Sequence, residues 1–168
     1  SQGVTVEQAP YLPYALKISD YNHILTLETF LQGKILVQDV SSMLVAEAAS
    51  PKKGDHIIDM CAAPGGKSIH AADKMGDYGN VDARDVSQYK ADLIKENIHR
   101  TGVINVEARV QDATVYDPDS EQAADIVIAD VPCSGYGGFA DFQSENGIFK
   151  AEIFLHLTQR DTEDRLYG

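Results

Sequence analysis

The chain has 168 residues, 43% of them hydrophobic, and carries a formal charge of −12 from 26 acidic and 14 basic side chains. That length supports one core and leaves too little for two domains of ordinary size. The acidic balance excludes a strong sequence-independent grip on nucleic acid by the whole surface, because that affinity comes from lysine and arginine displacing counterions.

No apolar run reaches the roughly eighteen residues of a membrane span, and the opening Ser-Gln-Gly-Val-Thr-Val-Glu has no signal-peptide pattern. A cytoplasmic protein with no membrane partner is expected. Cys61 and Cys133 lie far apart without metal-type spacing, so neither a disulfide framework nor a metal site is expected.

In chain order, residues 1–38 hold Tyr11, Tyr14, Leu16, Tyr21, Leu25 and Leu27 without a sustained period. They read as an irregular lead-in packed on a core that occupies 39–168. Ser41 to Ala49 suits a helix, with Asp39 or Ser41 able to cap its exposed amides. His56-Ile-Ile-Asp-Met60 is a short buried-strand pattern bounded by Pro51, Gly54 and a Pro-Gly-Gly turn. Lys67 to Met75 then suits a helix and Asn80 to Asp85 a strand. Ser87 to Thr101 suits a second helix, with Tyr89, Leu93, Ile94 and Ile98 on one face and Gly102 at its stop. Val106 to Gln111 and Asp125 to Ala129 supply two further strands. Ile148 to Leu157 fits a late strand or a helix, and Thr158 to Gly168 a frayed tail. Strand-length apolar runs alternating with amphipathic stretches indicate an α/β fold with a mostly parallel sheet flanked by helices.

Open α/β sheets bind ligands at the carboxyl ends of their strands. There, after the first of these strands, Cys61-Ala62-Ala63-Pro64-Gly65-Gly66-Lys67 offers small residues, conformational freedom and the amides opening a helix. The spacing is neither G-x-G-x-x-G nor a P-loop, which weakens dinucleotide and nucleoside triphosphate readings. Asp85 stands about twenty residues further on, where an acidic side chain accepts from two ribose hydroxyls. Asp112 ends the next strand, where it would face the adenine edge of the same ligand. Singly, such acids are more often solvated loop residues or caps; in this order they point to a nucleoside. Asp130-Val-Pro-Cys-Ser-Gly135 then holds a thiol, Cys133, at the same edge. An isolated cysteine is more often a buried structural residue. Its place after Asp130 and Pro132 favours ring-carbon chemistry over transfer to an exocyclic amine.

These residues, together with Val37-Gln-Asp-Val-Ser-Ser-Met-Leu44, Ala83-Arg-Asp85 and Gln111-Asp-Ala113, resemble the Sun (Fmu) family of RNA 5-methylcytosine methyltransferases. Within it the bacterial small-subunit ribosomal RNA enzymes are most similar. The resemblance covers about Tyr11 to Gly137. It implies a Rossmann-like class I methyltransferase fold, with Cys61 to Lys67, Asp85, Asp112 and Asp130 holding S-adenosyl-L-methionine and Cys133 touching the cytosine. RNA is the implied partner, ribosomal RNA first and transfer RNA second. In such enzymes a thiolate adds to carbon-6 so that carbon-5 can take the methyl, and covalent catalysis divides one hard step into easier ones.

The resemblance also implies that the nucleophile belongs to a later Thr-Cys motif, which this sequence lacks, and that Cys133 helps release the product. Asn146-Gly-Ile-Phe-Lys-Ala151 resembles the family's closing strand, so a long piece is expected to be absent between Gly138 and about Glu145. An intact mass near 18.3 kDa would show that it was deleted rather than unresolved. The family's N-terminal RNA-binding domain is expected to be absent too, leaving cofactor binding with little or no turnover. Two other readings stay open: an RNA-binding or ribosome-assembly module with a relic cofactor pocket, and a nucleotide-binding dehydrogenase. Oligomeric state and the target cytosine are not legible.

Overall fold

The computed structural model describes residues 4–20, 23–76 and 78–131 and the backbone of Ile153–Leu157. In chain order it runs β1 (Thr5–Gln8), β2 (Ala15–Ser19), a 3-10 turn at Ile24–Thr26, α1 (Glu28–Leu31), β3 (Ile35–Gln38) and α2 (Val40–Ala49). Then come β4 (His56–Asp59), α3 (Gly66–Met75), β5 (Asn80–Asp85), α4 (Gln88–Thr101), β6 (Val106–Val110), a 3-10 turn at Pro118–Ser120, β7 (Ile126–Ile128) and β8 (Ile153–Leu157).

The central sheet has strand order β6-β5-β4-β7 and every pairing in it is parallel. Parallel strands need crossovers that carry helices onto the sheet, and α3 and α4 are those crossovers. Both cover one face, where Ile57, Ile69, Met75, Val81, Ala83, Ile94 and Ile128 form a single core cluster. Ala71 and Ala72, fully buried, let α3 approach the strands closely. Asp39 caps α2 by accepting from Ser42 N at 2.8 Å, and Ser87 caps α4. Gly102, with φ +67°, ends α4 in the left-handed conformation that its missing Cβ permits. The face expected of α4 needs one change. Ala91 and Ile94 are buried, whereas Tyr89 is 74% exposed because, two residues before Ala91, it lies on the opposite side of the helix.

The opposite face of the sheet carries charge. Asp82 and Arg84 alternate with the core residues Val81 and Ala83 and so project the other way. Asp82 Oδ2 accepts from Arg84 Nε at 2.6 Å and its Oδ1 lies 2.7 Å from Arg109 Nε. Arg84 also donates to Ser120 Oγ at 2.8 Å. The 3-10 turn at Pro118–Ser120 is thereby pinned over the strands.

The lead-in is not irregular. Residues 1–38 contain three strands that join β8 in an antiparallel sheet of order β1-β2-β8-β3. β8 lies between β2 and β3, pairing Leu16 with Leu155 and Val37 with Leu155. Within the late segment, Ile153–Leu157 is therefore a strand. Its partners come from more than a hundred residues away in sequence, so no local period announced them. Leu27 is buried together with Ala9, Leu12, Ala15, Ile18, Ile35 and Leu36, Tyr14 is half-buried, and Tyr11 is 86% exposed. Arg100 ties this region to α4: its Nη1 donates to Phe30 O at 2.8 Å and Ile35 O at 3.1 Å, and its guanidinium stacks 3.9 Å from the Phe30 ring. The expected closing strand at 146–151 and the tail beyond 157 lie outside the described residues. No helix among the described residues is long and apolar enough to cross a membrane.

Candidate functional site at the sheet edge

The loop after β4 is built by backbone bonds to both neighbouring strands. Met60 N donates to Ile128 O at 2.9 Å and Ala62 N to Arg84 O at 2.8 Å, so the loop starts flush with the carboxyl edge. Gly65 N then donates to Ala62 O at 2.6 Å, closing a tight turn through the cis Ala63–Pro64 peptide. Asn97 of α4 donates to Pro64 O at 3.0 Å. Gly65 is the N-cap of α3 with φ +102°, a conformation that side chains disfavour, and no side chain caps the helix. The first amides of α3 thus face the edge with the positive end of the helix dipole.

Asp85 ends β5 at 4% exposure and grips this loop. Its Oδ2 accepts from Ala63 N at 3.1 Å, its Oδ1 accepts from Val86 N at 2.8 Å, and Lys90 Nζ lies 3.1 Å from Oδ1. From the other side, Lys67 Nζ lies 2.8 Å from Asp130 Oδ2 in the loop after β7. The loops after β4, β5 and β7 therefore meet at one place. Asp112 shares the edge, because Gln111 N donates to Asp85 O at 2.9 Å. Its own carboxylate, however, accepts from Thr114 N at 2.9 Å and Thr114 Oγ1 at 2.7 Å. Those two bonds hold its pKa below the ordinary aspartate value. Cys133 lies outside the described residues, which stop at Val131.

The two ends of the site differ electrostatically. Burial, followed by the carboxylates of Asp85 and Asp59, pushes the Cys61 thiol above its usual pKa. It stays protonated at neutral pH and is not an activated nucleophile. Asp59, not among the expected site residues, ends β4 at 1% exposure. Ser68 Oγ donates to its Oδ2 at 2.6 Å, yet burial outweighs that bond and raises its pKa. Gln38 is a second omission. It lines a cleft of about 270 Å³ with Asp39, Ser42, Ala62, Ala63, Pro64, Gly66 and Lys67. The Val37-Gln-Asp triplet was a signal for it, but nothing in the sequence brought it beside Gly66. Among the described residues no group of three or more His, Cys, Asp or Glu could hold a metal ion.

Comparison with known proteins places this geometry. The chain is 38% identical over 138 residues to the "Probable ribosomal RNA small subunit methyltransferase B" of Bacillus subtilis (strain 168), covering 82% of this chain and 31% of that protein. It is 40% identical to the "tRNA (cytosine(72)-C(5))-methyltransferase" of Pyrococcus horikoshii, covering 66% of this chain and 28% of that one. The solved structure of PH0851 superimposes with a TM-score of 0.75 at 34% identity, over 80% of this chain and 31% of that one. NSun6 from Pyrococcus horikoshii, solved with SFG, does so with a TM-score of 0.59 at 36% identity, over 67% and 29%. The chain thus spans about a third of the length of each of these proteins. The sheet and its flanking helices form a Rossmann-like methyltransferase fold, and residues 46–144 match the family described as 16S rRNA methyltransferase RsmB/F, to which this chain belongs.

Proposed function

We propose that this chain carries the S-adenosyl-L-methionine site, and part of the base site, of an enzyme that methylates carbon-5 of a cytosine in RNA. Ribosomal RNA is the first candidate substrate and transfer RNA the second, since relatives named for each share this core. The cytoplasm is the compartment this reading implies. Its strongest support is the grip of Asp85 on Ala63: the carboxylate expected to receive a ribose also shapes the loop on which the nucleoside would lie.

The residues fit that cofactor. A carboxylate offers about four acceptor positions, and Asp85 uses three, one of them on Lys90, whose side chain is 41% exposed and free to turn to water. Room for ribose hydroxyls therefore exists without breaking the loop. The uncapped amides of α3 suit a carboxylate end. Asp112, exposed at the same edge, would meet the base of the nucleoside once released from its bonds to Thr114. When bound, S-adenosyl-L-methionine supplies an electrophilic methyl group.

The chain's own contribution is orientation and charge. Lys67 fixes Asp130 at the root of the loop that leads to Cys133, two residues past the described edge. Cys133, on the family resemblance, meets the cytosine from that loop and assists release. The protonated Cys61 remains a lining residue. Calorimetric titration of this chain with S-adenosylhomocysteine and with NAD tests the reading: binding of the first alone supports it, and binding of NAD alone overturns it.

A further inference from the structure

Of the polar side chains lining the cleft beside Lys67 that the cofactor reading does not employ, Asp39 and Ser42 bond to each other, and Gln38 remains. Gln38, at the end of β3, is 8% exposed, and neither atom of its amide has a hydrogen-bond partner among the described residues. A primary amide taken out of water without partners is costly, so the folded chain carries a penalty that a bound group can relieve. Its neighbour Asp39 cannot relieve it, being committed to capping α2 through Ser42. The wall beside the amide is bare backbone, since a Cβ at Gly66 would lie 3.0 Å from Gln38 Nε2. The side chain thus stands against the glycine turn, in the lining of the cleft that also contains Lys67.

We propose that Gln38 reads the Watson–Crick edge of the target pyrimidine, turning from the Gly66 wall into the cleft to pair its N–H and C=O with an adjacent acceptor and donor of the base. The proposal rests on the RNA methyltransferase reading and adds a base contact to it. An amide presents one donor and one acceptor side by side in a plane, the arrangement that pairs with a base edge. The α-amino-acid end of the cofactor also offers a donor and an acceptor, but two observations favour the base. The walls of this cleft include Ala62, Ala63, Pro64 and Gly66 of the loop proposed for the cofactor and Lys67, which is ion-paired to Asp130, but not Asp85, where the cofactor's ribose would lie, so a base seated here would stand beside the cofactor. A tetrahedral ammonium and its carboxylate also lack the coplanar edge that an amide matches.

The test is Gln38→Met in this same chain, a swap of similar length without polar atoms. Three readouts are taken: the melting temperature, affinity for S-adenosylhomocysteine, and affinity for a short cytidine oligoribonucleotide at fixed salt. Expected are a melting temperature a few degrees higher, because an unpaired buried amide has gone, an unchanged affinity for S-adenosylhomocysteine, and a fall of about tenfold or more for the oligoribonucleotide. A lower melting temperature shows that the amide is structurally partnered and overturns the proposal. Loss of S-adenosylhomocysteine affinity with oligoribonucleotide binding unchanged assigns the amide to the cofactor and overturns it too, as does equal oligoribonucleotide binding by both forms. Failure of the unaltered chain to bind S-adenosylhomocysteine sinks the broader methyl-transfer reading instead, and leaves the other two readouts to judge Gln38.

Discussion

Ala63 N donates to Asp85 Oδ2 at 3.1 Å, so one carboxylate both ends a strand and shapes the loop of the strand beside it. Asp85→Asn replaces an acceptor-only group by one that must present an N–H to some of its donors. With Asp85 at 4% exposure and bonded to Ala63, Val86 and Lys90, the expected cost is about 1–3 kcal/mol of stability. Affinity for S-adenosylhomocysteine should fall by about tenfold or more, which is about 1.4 kcal/mol or more of binding free energy. Denaturant unfolding and calorimetry check the two effects separately.

Asp59 gives a pH-dependent prediction. Its folded pKa is raised, burial being the largest cause, so the folded state holds a proton more tightly than the unfolded chain does. Stability from this group is therefore complete below the ordinary aspartate pKa and is lost as pH rises toward the raised value. Asp59→Asn keeps an acceptor for Ser68 and cannot ionise. It should melt higher than the unaltered protein at pH 7, with the difference closing toward pH 4. Melting curves across that range check it, and a difference that persists at pH 4 would refute it.

Glu47 should behave in the opposite sense. Burial raises its pKa, but the ammonium of Lys74 at 2.7 Å and the hydroxyl of Tyr14, which donates to the same carboxylate, win and lower it. Its stabilisation is present above the ordinary glutamate pKa and is lost as pH falls through the lowered value. Glu47→Gln is expected to melt below the unaltered protein at pH 7, with the deficit shrinking under acid conditions. Burial, together with the same carboxylate, pushes the Tyr14 hydroxyl above its usual pKa, so alkaline titration of tyrosine absorbance should show a late component.

Gly33 tests the joint between the two sheets. With φ +73°, a Cβ there would stand 1.9 Å from the carbonyl oxygen of Arg100, which is helix backbone and cannot yield. Gly33→Ala should cost about 2–4 kcal/mol, combining a disfavoured backbone conformation with a steric clash. Gly54→Ala is the control: its φ is +96° with nothing within 4 Å of the added atom, so only the conformational part should appear. Comparing the two by chemical denaturation separates strain from collision.

The sequence by itself determined the central sheet and the identity of its edge residues. Ile57 and Ile58 in a short apolar run, the cap at Ser87 and the stop at Gly102 are local signals, and each reports a cost that the chain pays within a few residues. The order of Cys61 to Lys67, Asp85 and Asp130 was legible for the same reason, because a parallel sheet brings the carboxyl ends of its strands to one edge. What only the tertiary structure decided was long-range. β8 inserts between β2 and β3, giving strand character to a lead-in whose side chains show no period of their own. Asp59 and Gln38 become buried only when α3, and for Gln38 the Gly66 turn, close over them. Burial and pairing across a hundred residues belong to the packed chain as a whole, and a local pattern carries no record of them.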